Sequence, residues 1–90
     1  MKSSQRKPAH PGTVLLEQFL KPTGMTQTTL AQKLGISVLY LNSLVNGRRA
    51  MTRDIAAKLS RVAKKPTQYW MNLQEAWERH EEKRKAARGR

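Results

Sequence analysis

QTTLAQKLGISVLYLNSLVN, residues 27–46, decides how this chain is read. The stretch predicts a helix, a tight turn and a second helix, the sequence form of a helix-turn-helix. Leu30, Ala31 and Leu34 mark the inner side of the first helix, and the small Ala31 lets the second helix cross closely. Gly35 stands where the turn needs positive φ, which costs little without a Cβ. Ile36 plugs the corner. Ser37 can accept a backbone N–H as the cap of the second helix, and Ile36 with Leu41 is spaced as a hydrophobic staple. Leu41, Leu44 and Val45 form a buried stripe, and Gly47 can close the helix in a left-handed cap. Ser37, Val38, Leu39, Asn42, Ser43 and Asn46 remain on the outer face. In a helix-turn-helix that face enters the DNA major groove, N-terminal residues first. The competing reading is an ordinary helical hairpin inside an all-α domain. The joint spacing of small residue, glycine and apolar positions, together with the charge, favours the DNA-binding form.

The charge is the loudest compositional fact. Eighteen basic residues face six acidic ones, a formal +12 on 90 residues, which implies a polyanionic partner, nucleic acid before an acidic protein or an anionic membrane. No long amphipathic helix with a bulky apolar face supports the membrane alternative, and no apolar run approaches the roughly 20 residues of a bilayer span. The opening MKSSQRKPAHPG lacks the apolar region of a secretory signal. With no cysteine there is neither a disulfide framework nor a thiolate metal site. Cytoplasmic residence is the expectation. Ninety residues allow one domain with a small core.

Outside the central stretch the chain predicts three more helices. Residues 1–9 read as a flexible basic arm, broken by Pro8, that is either solvated or in contact with DNA or a partner. The first helix runs from about Pro11, pre-set for a first turn, to Leu20; Val14, Leu15, Phe19 and Leu16 supply its stripe, and Pro22 and Gly24 end it. Thr26 caps the next helix, with Met25 and Leu30 as a second staple. After the loop 47–51, Thr52 caps a fourth helix, where Asp54 suits the dipole and Ile55, Ala56, Leu59, Val62 and Ala63 carry the apolar face; Pro66 stops it. A fifth helix starts near Thr67, with Trp70, Leu73 and Trp77 on one stripe beside Tyr69 and Ala76. From Glu78 the chain is almost wholly charged, so 10–78 reads as the domain and 79–90 as a basic tail, helical for a turn or two before fraying.

The residues give little basis for an enzyme. The acids are Asp54 and five glutamates, three of them from Glu78 onward in the charged stretch. His10 and His80 lie far apart, and His80 beside Glu81 and Glu82 reads as a solvated charge run before it reads as a metal site. No nucleophile–base pair and no glycine-rich phosphate loop occurs, so no catalytic residue, cofactor or metal is expected. DNA contact has concrete parts. Gln27 and Thr28 open the first helix of the motif, whose N-terminus can hold a phosphate. Arg48, Arg49 and Arg53 follow the recognition helix and can reach the flanking backbone, or serve only solubility. Asn42 can bond an adenine edge, and Ser37 and Ser43 can donate or accept. Val38 and Leu39 offer only apolar contact, for example to a thymine methyl, and Tyr40 either supports a phosphate or packs inward. Arginine and glutamine readers are missing from this face, so groove shape contributes to selectivity. A single such motif touches little DNA, so a homodimer reading half-sites about 34 Å apart is expected. Tyr69, Trp70, Leu73 and Trp77 are the interface candidates, with Trp70 divided between interface and core.

Three blocks, HPGTVLLEQFLKP at 10–22, the helix-turn-helix with NGRRAMT at 27–52 and YWMNLQEAW at 69–77, resemble the HigA family of antitoxins within the XRE, lambda-repressor-like group. The resemblance covers about residues 8–78. It implies an all-α, five-helix lambda-repressor-like domain with the helix-turn-helix at helices 2 and 3, dimerisation, and repression of its own operon through a palindromic double-stranded operator. It also implies a partner, a HigB-type toxin that is a RelE-like mRNA-cleaving ribonuclease silenced by the antitoxin. Composition and spacing say nothing of that toxin. Val38 and Leu39 depart from the polar or basic residues that members often carry there, and the tail beyond Glu78 lies outside the pattern. The alternatives are a stand-alone or phage-derived XRE-type repressor without a toxin, and a ribosome- or RNA-associated basic protein.

Overall fold

The computed structural model describes residues 8–88, in which five helices and no strand occur. The first, α1, is continuous over 11–23 but built in three pieces: α-helical Pro11–Leu15, a π-helical turn Leu16–Leu20, and α-helical Lys21–Thr23. It is followed by α2 (Gln27–Leu34), α3 (Val38–Val45), α4 (Arg53–Ala63) and α5 (Thr67–Arg88).

Pro22 does not end α1. Proline has no N–H and its ring presses on the carbonyl four residues back. The chain absorbs this by widening one turn, so that the Lys21 N–H reaches the Leu16 carbonyl. The helix then runs on to Thr23 and closes at Gly24 with φ 74°. The wide turn also slips the phase of the stripe by one residue. Leu20 is therefore buried alongside Val14 and Leu15, while Leu16 and Phe19 are only half-buried.

The other helices begin and end where the caps were expected. The hydroxyls of Thr26, Ser37 and Thr52 accept the N–H of Thr29, Tyr40 and Ile55. Gly35 takes φ 71° at the turn, and Ile36 donates its N–H back to the Ala31 carbonyl. The end of α4 falls on Lys64, which adopts the left-handed conformation at φ 61° without being glycine.

One core unites the helices: Leu15, Leu30, Leu34, Leu41, Leu44, Met51, Ile55, Leu59 and Trp70 are among its members. Helix α3 packs on α1 and α2, α4 on α2 and α5, and α5 back on α1. Helices α1 and α3 approach closely at Gly12. A Cβ on Gly12 would lie 1.8 Å from the Leu44 carbonyl oxygen, so only glycine fits there.

Two expectations change at the C-terminal end. Trp70 is 2% exposed. The protomer's own core takes its ring, so it is removed from the interface candidates. The stretch read as a tail from residue 79 is helical as far as Arg88, about three turns beyond Glu78 rather than one or two. Residues 1–7 of the proposed arm lie outside the described residues. Among the described residues, no helix is long and apolar enough to cross a membrane.

Candidate nucleic-acid interface

Helix α3 is fixed from inside and open outside. Leu41 and Leu44 are fully buried and Val45 nearly so, anchoring one face. At its start the Ser37 Oγ accepts the Tyr40 N–H at 3.0 Å. At its end the Gly47 N–H bonds the Leu44 carbonyl at 3.0 Å and the Arg48 N–H the Ser43 carbonyl at 2.9 Å. Each end thus has a cap that satisfies some of its terminal backbone groups, which opposes fraying.

The structure places the sequence-derived residues as follows. Thr28, Ser37, Val38, Leu39, Asn42, Asn46, Arg48, Arg49 and Arg53 are exposed, and Gln27, Tyr40 and Ser43 are half-buried. Three of them form a chain of amides across the motif. The Asn42 Nδ2 donates to Gln27 Oε1 at 3.4 Å, and the Asn46 Nδ2 donates to Asn42 Oδ1 at 3.2 Å. The start of α2 is thereby tied to the middle of α3, and the two amides that could touch DNA are positioned relative to each other. Accepting at its oxygen leaves the Gln27 amide NH2 as the group to donate outward.

Tyr40 is paired with an arginine of the loop. The Arg49 guanidinium lies 4.6 Å from its ring centroid, a cation–π geometry that directs the charge over the first turns of α3. Helices α2 and α3 hold no acidic residue, so nothing on the motif itself opposes the approach of phosphates. Beyond the loop, Asp54 pairs with Lys58 at 3.4 Å on exposed surface.

Sequence reasoning missed two residues that hold this surface in place. His10 was singled out in the sequence only as lying too far from His80 to share a ligand. In the structure it is buried and caps α1, its Nδ1 accepting the Gly12 N–H at 2.9 Å. Its ring meets Trp77 edge-on, with centroids 5.3 Å apart. Burial pulls its pKa below the ordinary 6.5, and a hydrogen bond with the Arg49 backbone opposes that shift. A bond to the backbone of Arg49 ties the start of α1 to the loop that carries the arginines. His followed by Pro-Gly was a faint cap signal.

The second missed residue is Gln74. It is buried, and its Oε1 accepts the Met51 N–H at 2.7 Å while its Nε2 donates to Glu78 at 2.9 Å. It therefore pins the loop 47–51 to α5. A signal existed, because Gln74 falls on the α5 stripe between Trp70 and Trp77, and a polar residue at a core position has to be bonded to something.

Of the remaining interface candidates, Tyr69, Leu73 and Trp77 are half-buried in the protomer. The Tyr69 ring packs edge-on to Trp70 at 5.1 Å, and its hydroxyl donates to Gln18 Oε1 at 3.4 Å.

Comparison with known proteins places this geometry. Residues 16–70 match the helix-turn-helix family. The chain is 38% identical over 69 residues to the virulence-associated protein I of Dichelobacter nodosus, across 77% of this chain and 64% of that protein. It is 32% identical over 76 residues to the antitoxin HigA-1 of Vibrio cholerae, across 84% of this chain and 71% of that one. Both relatives extend beyond the matched region. The fold superposes on the Pseudomonas aeruginosa antitoxin HigA, solved with the higBA promoter, at a TM-score of 0.81, with 32% identity over 92% of this chain and 88% of that chain. The fold is thus shared with the Pseudomonas aeruginosa antitoxin, and the chain belongs to the helix-turn-helix family of XRE-type regulators that includes the HigA antitoxins.

Proposed function

We propose that this chain is a DNA-binding antitoxin rather than an enzyme. As a homodimer it binds a palindromic operator and represses its own operon, and it neutralises a HigB/RelE-like mRNA-cleaving toxin. One observation carries the DNA part: the outer edge of α3 is exposed, rigidly held, free of acidic residues and followed by three exposed arginines. The N-terminal turns of α3 enter the major groove. Gln27 and Thr28 at the start of α2, with Arg48, Arg49 and Arg53, hold phosphates on either side. Asn42, Ser37 and Ser43 meet base edges, with Asn46 behind Asn42. The toxin and the dimer rest on kinship with the HigA proteins, and Tyr69, Leu73 and Trp77 are the residues assigned to the two-fold contact.

Fluorescence anisotropy on the duplex upstream of the chain's own reading frame tests the DNA part. Tight, saturable binding that outcompetes random duplex and structured RNA is expected. RNA winning that competition would overturn the reading in favour of an RNA-associated protein. Arg48→Ala and Arg49→Ala should each weaken all duplexes alike and lower the slope of log affinity against log salt by about one unit. Co-purification with the product of a neighbouring RelE-type gene tests the toxin part, and a free antitoxin in that experiment would leave a stand-alone repressor.

A further inference from the structure

The first turn of α3 carries a feature that phosphate binding does not explain. Leu39 is 81% exposed and Val38 41%, and they are the large hydrophobic residues that the described chain leaves in solvent. Their polar neighbours are partly committed to one another. Asn42 donates to Gln27 and accepts from Asn46, and Ser37 Oγ accepts the Tyr40 N–H. The groups best able to read base edges by hydrogen bonding therefore have fewer bonds to offer, while the most prominent side chain has none. The surroundings are cationic, since no acid occurs from Gln27 to Asn46 and the chain carries +12.

An apolar tip on the leading turn of a groove-entering helix, in a field that attracts polyanions, fits one apolar group in the major groove: the 5-methyl of a pyrimidine. A protein partner fits less well, because two residues fall far short of the few hundred Å2 of contiguous apolar surface that marks a protein interface. We infer that Leu39, with Val38 beside it, reads a 5-methylpyrimidine in each half-site. This rests on the proposed entry of α3 into the groove. The methyl belongs to thymine or to 5-methylcytosine.

The test compares three versions of the upstream duplex: one amplified with the four ordinary nucleotides, one with dUTP in place of dTTP, and one with 5-methyl-dCTP in place of dCTP. Uracil differs from thymine only by the methyl. The wild-type chain should bind the uracil duplex about fourfold more weakly for each methyl lost, and so about fifteenfold more weakly at a two-fold site. Leu39→Ala, on an exposed helical position that alanine suits, should keep its circular dichroism and bind the thymine and uracil duplexes alike. Preference for the methylcytosine duplex with no response to uracil would support the inference with 5-methylcytosine as the source. Equal binding of the wild-type chain to all three duplexes overturns the inference and leaves the proposed function standing. Discrimination that survives in Leu39→Ala overturns it too, since another residue then senses the methyl. No binding to the thymine duplex at all fails the proposed function itself.

Discussion

Helix α3 and the outer half of α5 are both helical, both solvent-facing and both flanked by positive charge, yet they are held in opposite ways. Helix α3 is eight residues long, shorter than a helix stable by itself. It is fixed by three buried residues, a hydroxyl cap, a closing backbone bond at each end and a glycine contact that leaves no room against α1. Past Glu78, α5 buries no apolar residue and shows an Arg84–Glu81 ion pair at 2.7 Å, its arginine exposed and its glutamate half-buried. Such pairs contribute only a few tenths of a kcal/mol. The contrast fits the tasks proposed for the two helices. A helix that presents side chains to the fixed spacing of a duplex needs defined ends and a defined roll. A helix that only carries charge near a polyanion needs neither.

The largest expected effect breaks the tightly held side of this comparison. Gly12→Ala places a methyl against the Leu44 carbonyl and should lower stability by about 2–3 kcal/mol in urea unfolding, as overpacking does. A neutral result would show that α1 and α3 can separate without loss. Next, Gln74→Ala removes the acceptor of the Met51 N–H and should cost about 1–3 kcal/mol, the penalty for stranding a buried donor. Its second reading is faster amide exchange in the loop 47–51 while α4 stays protected.

A pH titration sharpens the comparison further. His10 is held neutral below its ordinary pKa of 6.5 by burial. The unfolded chain therefore takes up the proton first as pH falls. Stability should be complete above about pH 6.5 and decline as the pH drops through the lower folded value. Denaturant midpoints at pH 7.5 and pH 5 measure this, and His10→Gln should flatten the difference. A rising midpoint on acidification would contradict the assigned burial. The smallest effect is reserved for α5. A chain stopped at Glu82 loses five basic residues, Lys83, Arg84, Lys85, Arg88 and Arg90. Its stability should stay within about 0.5 kcal/mol, while its affinity for random duplex falls. A larger loss of stability would show that the outer turns support the domain.

Much of the fold was legible because its signals are local. Thr26, Ser37 and Thr52 each precede a helix by one residue, and Gly35 stands where a left-handed turn is needed. What was misread depends on partners distant in sequence. The stripe of α1 was phased as if every turn held 3.6 residues, and the π-turn forced by Pro22 moved Leu20 inward in place of Phe19. The bracing role of His10 was not legible because its partners, Trp77 and the Arg49 backbone, lie about 40 to 70 positions away. Gln74 drew no reading, because the N–H it accepts from belongs to Met51, 23 positions away. On the DNA-facing edge, residue identities were legible from helical spacing, but the bonds joining Gln27, Asn42 and Asn46 were not.

The sequence by itself determined where each helix starts, which side of α2, α3 and α4 is apolar, and that the exposed edge from Ser37 to Asn46 lies between cationic residues. Caps, periodicity and charge act over a few positions and are written in order along the chain. The tertiary structure alone decided that Trp70 lies inside the protomer, that His10 and Gln74 brace the arginine loop, and that Asn42 is tied to Gln27 and Asn46. Each of those depends on which distant surfaces meet, and close packing between the helices settles that only once all of them are in place.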